Sequence, residues 1–207
     1  MENAFDLKLH LHRLLSDEPF FSAISRRVNK SASRGLPTAG VTVDKDTLQF
    51  KMLYNPDFFK DMEENKIKGV LMHEFYHLIF KHVTSRKPEN VPHLVWNIAG
   101  DLAINSMIGV ANLPEGCCIP GGKQFEDYPM GKTAEFYLEM MKDDENFGDG
   151  NGGFKDFDGE SGSDFGNFDD HSGWDELTDD ERQMVEERAK DIMEKAAKEA
   201  NNSGRGW

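Results

Sequence analysis

The stretch Gly69-Val70-Leu71-Met72-His73-Glu74-Phe75-Tyr76-His77-Leu78-Ile79-Phe80 decides the reading of this chain. It is mostly apolar, so it predicts a largely buried helix running from Ile67 to about Val83. Within it His73 and His77 stand four residues apart and share one helical face. A buried polar group has to be hydrogen-bonded or coordinated. Two imidazoles one turn apart can both aim a ring nitrogen at a single metal ion. Glu74, beside the first histidine, can then hold a metal-bound water and take its proton. Zinc brings the pKa of such a water towards about 7, so the spacing suits hydrolysis at neutral pH. The segment nominates His73 and His77 as ligands and Glu74 as general base.

A catalytic zinc usually has three protein ligands and a water. Downstream, Leu94 to Val110 predicts a second apolar helix. On it Asn97, Asp101 and Asn105 recur at i, i+4 and i+8 and form one polar stripe. Ala99, Gly100 and Ala103 are small and allow a neighbouring helix to come close. Pro88 and Pro92 bracket the short connection, so the two helices are expected side by side. Asp101 is the expected third ligand, with Asn97 and Asn105 orienting the ligands by hydrogen bonds. The competing reading bonds Asp101 to a helix terminus or to Arg86.

Two histidines are further candidates. His82 lies five residues after His77, a rotation of about 500°. It is expected near the helix C-terminus, where a protonated imidazole suits the dipole. His171 sits in Asp169-Asp170-His171-Ser172-Gly173-Trp174. Either it docks back on the site as a latch, or it is exposed while Trp174 anchors the last helix. Tyr76 is expected to pack.

The remaining pattern predicts an α+β fold, mainly helical with a small β-hairpin or sheet. Phe5 to Leu15 reads as a helix, and Asp17-Glu18-Pro19 starts another that runs to about Val28. Asn29 to Gly40 reads as a loop. Val41 to Val43 and Leu48 to Leu53 form a hairpin. Asn55-Pro56 opens a short helix. Asn112 to Met130 is a loop, and Lys132 to Met141 is a helix capped by Thr133.

Charge divides the chain. Residues 143–207 carry 20 acidic and 7 basic residues, whereas residues 1–142 carry 18 and 17. Residues 1–142 therefore read as one domain, 143–173 as an acidic Gly/Asp/Asn-rich flexible segment, and 174–207 as an acidic C-terminal helix opened by the capping box Thr178-Asp179-Asp180-Glu181. Asp156 to Asn167 resembles a calcium loop only loosely, because position six is Ser161 and position twelve Asn167. No basic footprint of a nucleic-acid binder is present, and no stretch has the roughly 20 apolar residues of a membrane helix. No signal peptide is visible, and adjacent Cys117 and Cys118 read as reduced thiols, which together predict a cytoplasmic protein.

The run from Gly69 to His77, then His82, then Trp96 to Asn105, resembles the metallopeptidase domain usually found ahead of a von Willebrand factor A-like domain in bacteria and phages. The likeness extends back to Ala39-Gly40-Val41-Thr42 and Tyr54-Asn55-Pro56 and covers roughly Phe20 to Ala111. It implies a zincin-like core, zinc held by His73, His77 and Asp101, and Glu74 as base. It also implies a protein or peptide substrate and, as a companion, an ATPase of the AAA type. An acidic tail stands where the A-like domain would be, and so short a form suits a phage-encoded protein in a host cytoplasm. In zincins an edge strand pairs with an extended substrate, and Leu48 to Leu53 is the candidate here. The leading expectation is a zinc peptidase. The alternatives are a non-catalytic zinc-containing interaction protein whose acidic tail binds a basic partner, and a protease acting on protein attached to DNA.

Overall fold

The structure, a computed structural model, describes residues 5–82, 86–155 and 177–203. In chain order the elements are helices α1 (Leu7–Asp17) and α2 (Pro19–Ser25), strands β1 (Asn29–Ala32), β2 (Ala39–Asp44) and β3 (Gln49–Tyr54), then helices α3 (Pro56–Phe59), α4 (Glu64–Ile79), α5 (His93–Ile108), α6 (Ala134–Asp143) and α7 (Asp179–Asn202). A 3-10 turn spans Val110–Asn112. The fold is mainly helical with a three-stranded sheet, in agreement with the α+β expectation.

The local signals explain most boundaries. Asp6 accepts from the Lys8 amide and opens α1. Pro19 occupies the first turn of α2, where its missing N–H costs nothing. Thr133 accepts from Phe136 N and opens α6. The hairpin turn is held by Asp44, whose Oδ1 accepts from the Thr47 amide at 3.0 Å and its hydroxyl at 2.8 Å.

Two expectations are corrected by the sheet. Asn29 to Gly40 is not all loop, because Asn29–Ala32 pairs in parallel with β3, from Asn29↔Lys51 to Ala32↔Tyr54. Asn-Lys-Ser-Ala has no apolar alternation because this strand is an exposed-to-half-buried edge. Its pairing comes from the neighbouring strand rather than from its own propensity. The strand order is β1-β3-β2. The Leu48 to Leu53 strand is therefore central, with both edges occupied, and cannot add a substrate strand. The sheet edges belong to β1 and β2.

The apolar residues gather in two clusters. The first joins α1, α2, the sheet, α4 and α7 through Leu14, Ile24, Met52, Phe59, Leu71, Phe75 and others. The second joins α5 and α6 to residues 118–147 through Trp96, Leu102, Phe125, Tyr137, Met141 and Phe147. This second cluster takes in residues past 142: Phe147 is fully buried, and Gly148 bridges to Phe154. The calcium-like stretch Asp156 to Asn167 lies outside the described residues. Among the described residues no helix is long and apolar enough to cross a membrane.

α7 begins as expected, with the Thr178 and Glu181 side chains capping each other's backbone. Its Val185, Ala189, Ile192, Ala196 and Ala200 are buried and face α2 and the first cluster. Arg26 and Arg27 both pair with Glu199, and Arg188 donates to the carbonyls of Thr47 and Leu48. Ala196 is fully buried. Ala196→Asp should therefore lower unfolding stability by about 3–5 kcal/mol, since it buries an unpaired charge. Urea denaturation measures this, and an unchanged midpoint would mean that α7 does not hold to the core.

Candidate metal centre

α4 belongs to the first cluster and α5 to the second, and the site lies where the two helices meet. Close approach depends on Gly100. A Cβ there would stand 2.8 Å from His82 Nδ1 and 3.4 Å from His77 Cε1. The interval of four residues puts His73 and His77 on one face of α4, and Asp101 projects from α5 towards them. All three are buried, as is Glu74, which is 1% exposed.

The donor atoms converge. His73 Nε2 and His77 Nε2 are 2.9 Å apart, and Asp101 Oδ1 is 3.1 Å from His77 Nε2 and 3.4 Å from His73 Nε2. Ligand atoms about 2.0–2.1 Å from a tetrahedral metal lie about 3.4 Å from one another. The three atoms are thus spaced as ligands of one ion. They lie within 4.8 Å of one another and make up a group that could hold a metal. Asp101 Oδ1 is buried and has no hydrogen-bond donor among the described residues, a costly state for a carboxylate oxygen unless a cation meets it. By donor type and spacing, the residues present fit a metal ion.

Asn105 sets the chemistry of His73. Its Nδ2 donates to Cys118 O at 2.9 Å, which turns its Oδ1 to His73 Nδ1 at 2.7 Å. His73 must then carry its proton on Nδ1 and present the Nε2 lone pair to the other donors. A ligating imidazole is commonly fixed by a hydrogen bond on its other nitrogen, as here. Asn97, one turn before Asp101, is half-buried, and no hydrogen bond among the described residues ties it to the histidines.

His82 lies three residues beyond the end of α4, after Lys81 with its positive φ of 56°. It is buried but is not part of the converging group. Its ring packs on Trp96 and His77 with centroids 5.6 and 5.3 Å away, and its carbonyl accepts from Trp96 Nε1. In this place it props His77 from behind. Arg86 is committed elsewhere: it binds Glu135 and the Phe80 carbonyl. The rival pairing of Asp101 with Arg86 is thereby overturned. Tyr76 packs edge-on against Phe21 and stacks on Phe80. His171 and Trp174 lie outside the described residues.

A small cavity of about 20 Å³ adjoins the group, lined by His73, Glu74, Asn105, Phe58, Leu113 and Cys117 among others. It has room for about one water. The sequence did not point to Cys117 as a neighbour of this cavity, because nothing local links a loop thiol to a helix 40 residues away. Neither cysteine is in a disulfide. Burial, and then the Asp101 charge, push the Cys117 thiol up to about 12.

A family model described as "Putative metallopeptidase domain" matches residues 3–206. The chain belongs to this family. The match takes in α7 and the acidic segment as well as the two helices that form the site. No curated protein and no solved structure matches the chain significantly.

Proposed function

We propose that this member of the metallopeptidase family is a zinc-dependent peptidase with a zincin-like core. His73, His77 and Asp101 hold the ion, and Glu74 is the general base. The observation that carries this reading is the convergence of two imidazole nitrogens and one carboxylate oxygen beside a buried glutamate and a water-sized cavity. Two imidazoles and a carboxylate suit zinc, which when bound polarises water and the substrate carbonyl. Glu74 lines the cavity and takes the proton of the attacking water, then returns it to the leaving amine. Asn105 holds His73 in the tautomer that ligation needs. His82 and Trp96 fix the ring plane of His77. The same donor set serves iron(II) oxygenases, and Glu74 beside the cavity favours hydrolysis over that chemistry.

The substrate is a protein or peptide. An AAA-type ATPase remains a proposed companion on the strength of the family resemblance, to be sought by co-purification. Elemental analysis of the purified protein should find about one zinc per chain, as a three-ligand site requires. A mixed peptide library should be cleaved by the loaded protein, not after chelation, and again when zinc is restored. Iron in place of zinc, or no metal and no uptake of zinc, would sink the proposal. A zinc-loaded protein that cleaves no peptide would leave the non-catalytic interaction protein as the better account.

A further inference from the structure

The residues of the site are buried, His73 being 7% and Glu74 and His77 1% exposed. Small-molecule pockets already run to roughly 300–1,000 Å³, and the cavity at Glu74, about 20 Å³, is far smaller than a bound peptide needs. A cleft of about 550 Å³ opens nearby, lined by Arg13, Asp17, Lys68, Met72, Tyr76 and Asn112 among others. The two share walls. On α4, Gly69 and Met72 face the cleft while Val70 and His73 face the cavity. On the following segment Asn112 faces the cleft and Leu113 the cavity. The segment from Gly109 to Gly116 stands between them.

This segment has the marks of a movable wall. It is bounded by Gly109 and Gly116 at φ of 84° and 87°, values that L side chains rarely adopt. Val110, Ala111 and Asn112 are exposed, and Leu113 alone is buried, where it lines the cavity. It is held to α4 by Asn65 Nδ2 donating to Ala111 O at 2.7 Å. The Asn112 carbonyl sits so close to Gly69 that a Cβ there would be 1.8 Å from it. Beyond Gly116 the chain is fixed again, since Cys118 is buried in the second cluster and its carbonyl is bound by Asn105.

Resting on the peptidase reading above, we propose that residues 109–116 are a gate between a peptide-docking cleft and the metal centre. Lifting Leu113 joins the cleft to the cavity at Glu74. The cleft is rimmed by charges that pair with one another, Arg13 with Glu64 and Lys68 with Asp17 and Glu18, over a floor of Leu14, Met72 and Tyr76. Mixed charge over an apolar floor suits an extended peptide, whereas a nucleic acid or an anionic lipid surface would call for uniform positive charge. Re-seating Leu113 after cleavage restores the closed site.

Cys117 lies at the hinge, is half-buried and lines the cavity, so a change in its alkylation rate reports opening without any need for activity. The rate of iodoacetamide labelling at Cys117, assigned by tandem mass spectrometry, and the rate of metal loss to a chelator are measured on the full chain. Gly69→Ala forces Asn112 away and should raise both rates at least tenfold. Asn65→Ala removes one exposed tether and should raise them about fivefold, the worth of an ordinary hydrogen bond. Cys118 is the control and should stay slow in both variants. Unchanged Cys117 labelling in both variants, or Cys118 rising in step with Cys117, would overturn the gate. Faster Cys117 labelling in a protein that cleaves no peptide would keep the gate and remove only the peptidase reading.

Discussion

Glu74→Gln is expected to keep its metal and lose hydrolysis by about 10²–10⁴-fold, the usual worth of a positioned general base. Glu74 is buried and lines the cavity, so the side chain has little freedom to be replaced in its role by solvent. Glutamine has the same length and volume, fills the same space and is not asked to ligate. It cannot accept a proton. The loss should fall on kcat, with KM little changed, because an interaction used only in the transition state is removed. Stability should hold or rise slightly, since a buried carboxylate becomes a neutral amide. Zinc content by elemental analysis and turnover of a cleaved peptide measure the two halves. Full activity in the variant would remove Glu74 from the mechanism, and loss of zinc would make it a ligand.

What could be read from the sequence follows from how local each signal is. His73 and His77 were legible because helical periodicity converts an interval of four into a shared face. Asp101 was legible as the carboxylate of a stripe on an otherwise apolar helix beside small residues. Asn105 was named with it, and the structure gives it a definite partner on each side. Asn97 belongs to the same stripe, yet it faces away enough to be half-buried, because three positions spaced by four drift around a helix of 3.6 residues per turn. β1 was illegible: four polar or small residues form a strand only because β3 offers an edge. For the same reason the place of β3 in the sheet centre could not be foreseen. The burial of α7 was also hidden. Its five buried positions are mostly alanines, spread thinly among charges, so the acidic composition masks the stripe. The wall over the cavity carries no motif at all. It emerges only when Gly69 and Asn112, 43 positions apart, are seen to touch.

Asp101→Ala is expected to cost more metal affinity than any other single change outside the two histidines. Its Oδ1 is buried, lies 3.1 and 3.4 Å from the two imidazole nitrogens, and has no hydrogen-bond donor among the described residues. Removing it takes away the only negative charge among the three converging donors and leaves two neutral imidazoles. Loss of an outer hydrogen-bond partner of a ligand typically costs roughly 10–100-fold in affinity. Asn105→Ala should fall in that range, because His73 would lose the bond that fixes its tautomer. Asp101→Ala should exceed it, which separates a ligand from a group that merely orients one. Titration with zinc against a competing chelator gives the affinities. Thermal unfolding gives an independent reading: added zinc should raise the midpoint of the wild-type protein by mass action and leave the variant unmoved. Equal affinity in the variant and the wild type would place the third donor elsewhere. His82 is held by Trp96 and turned against His77, so it would need a new conformation to serve. His171, from the acidic segment, would then be the residue to substitute next.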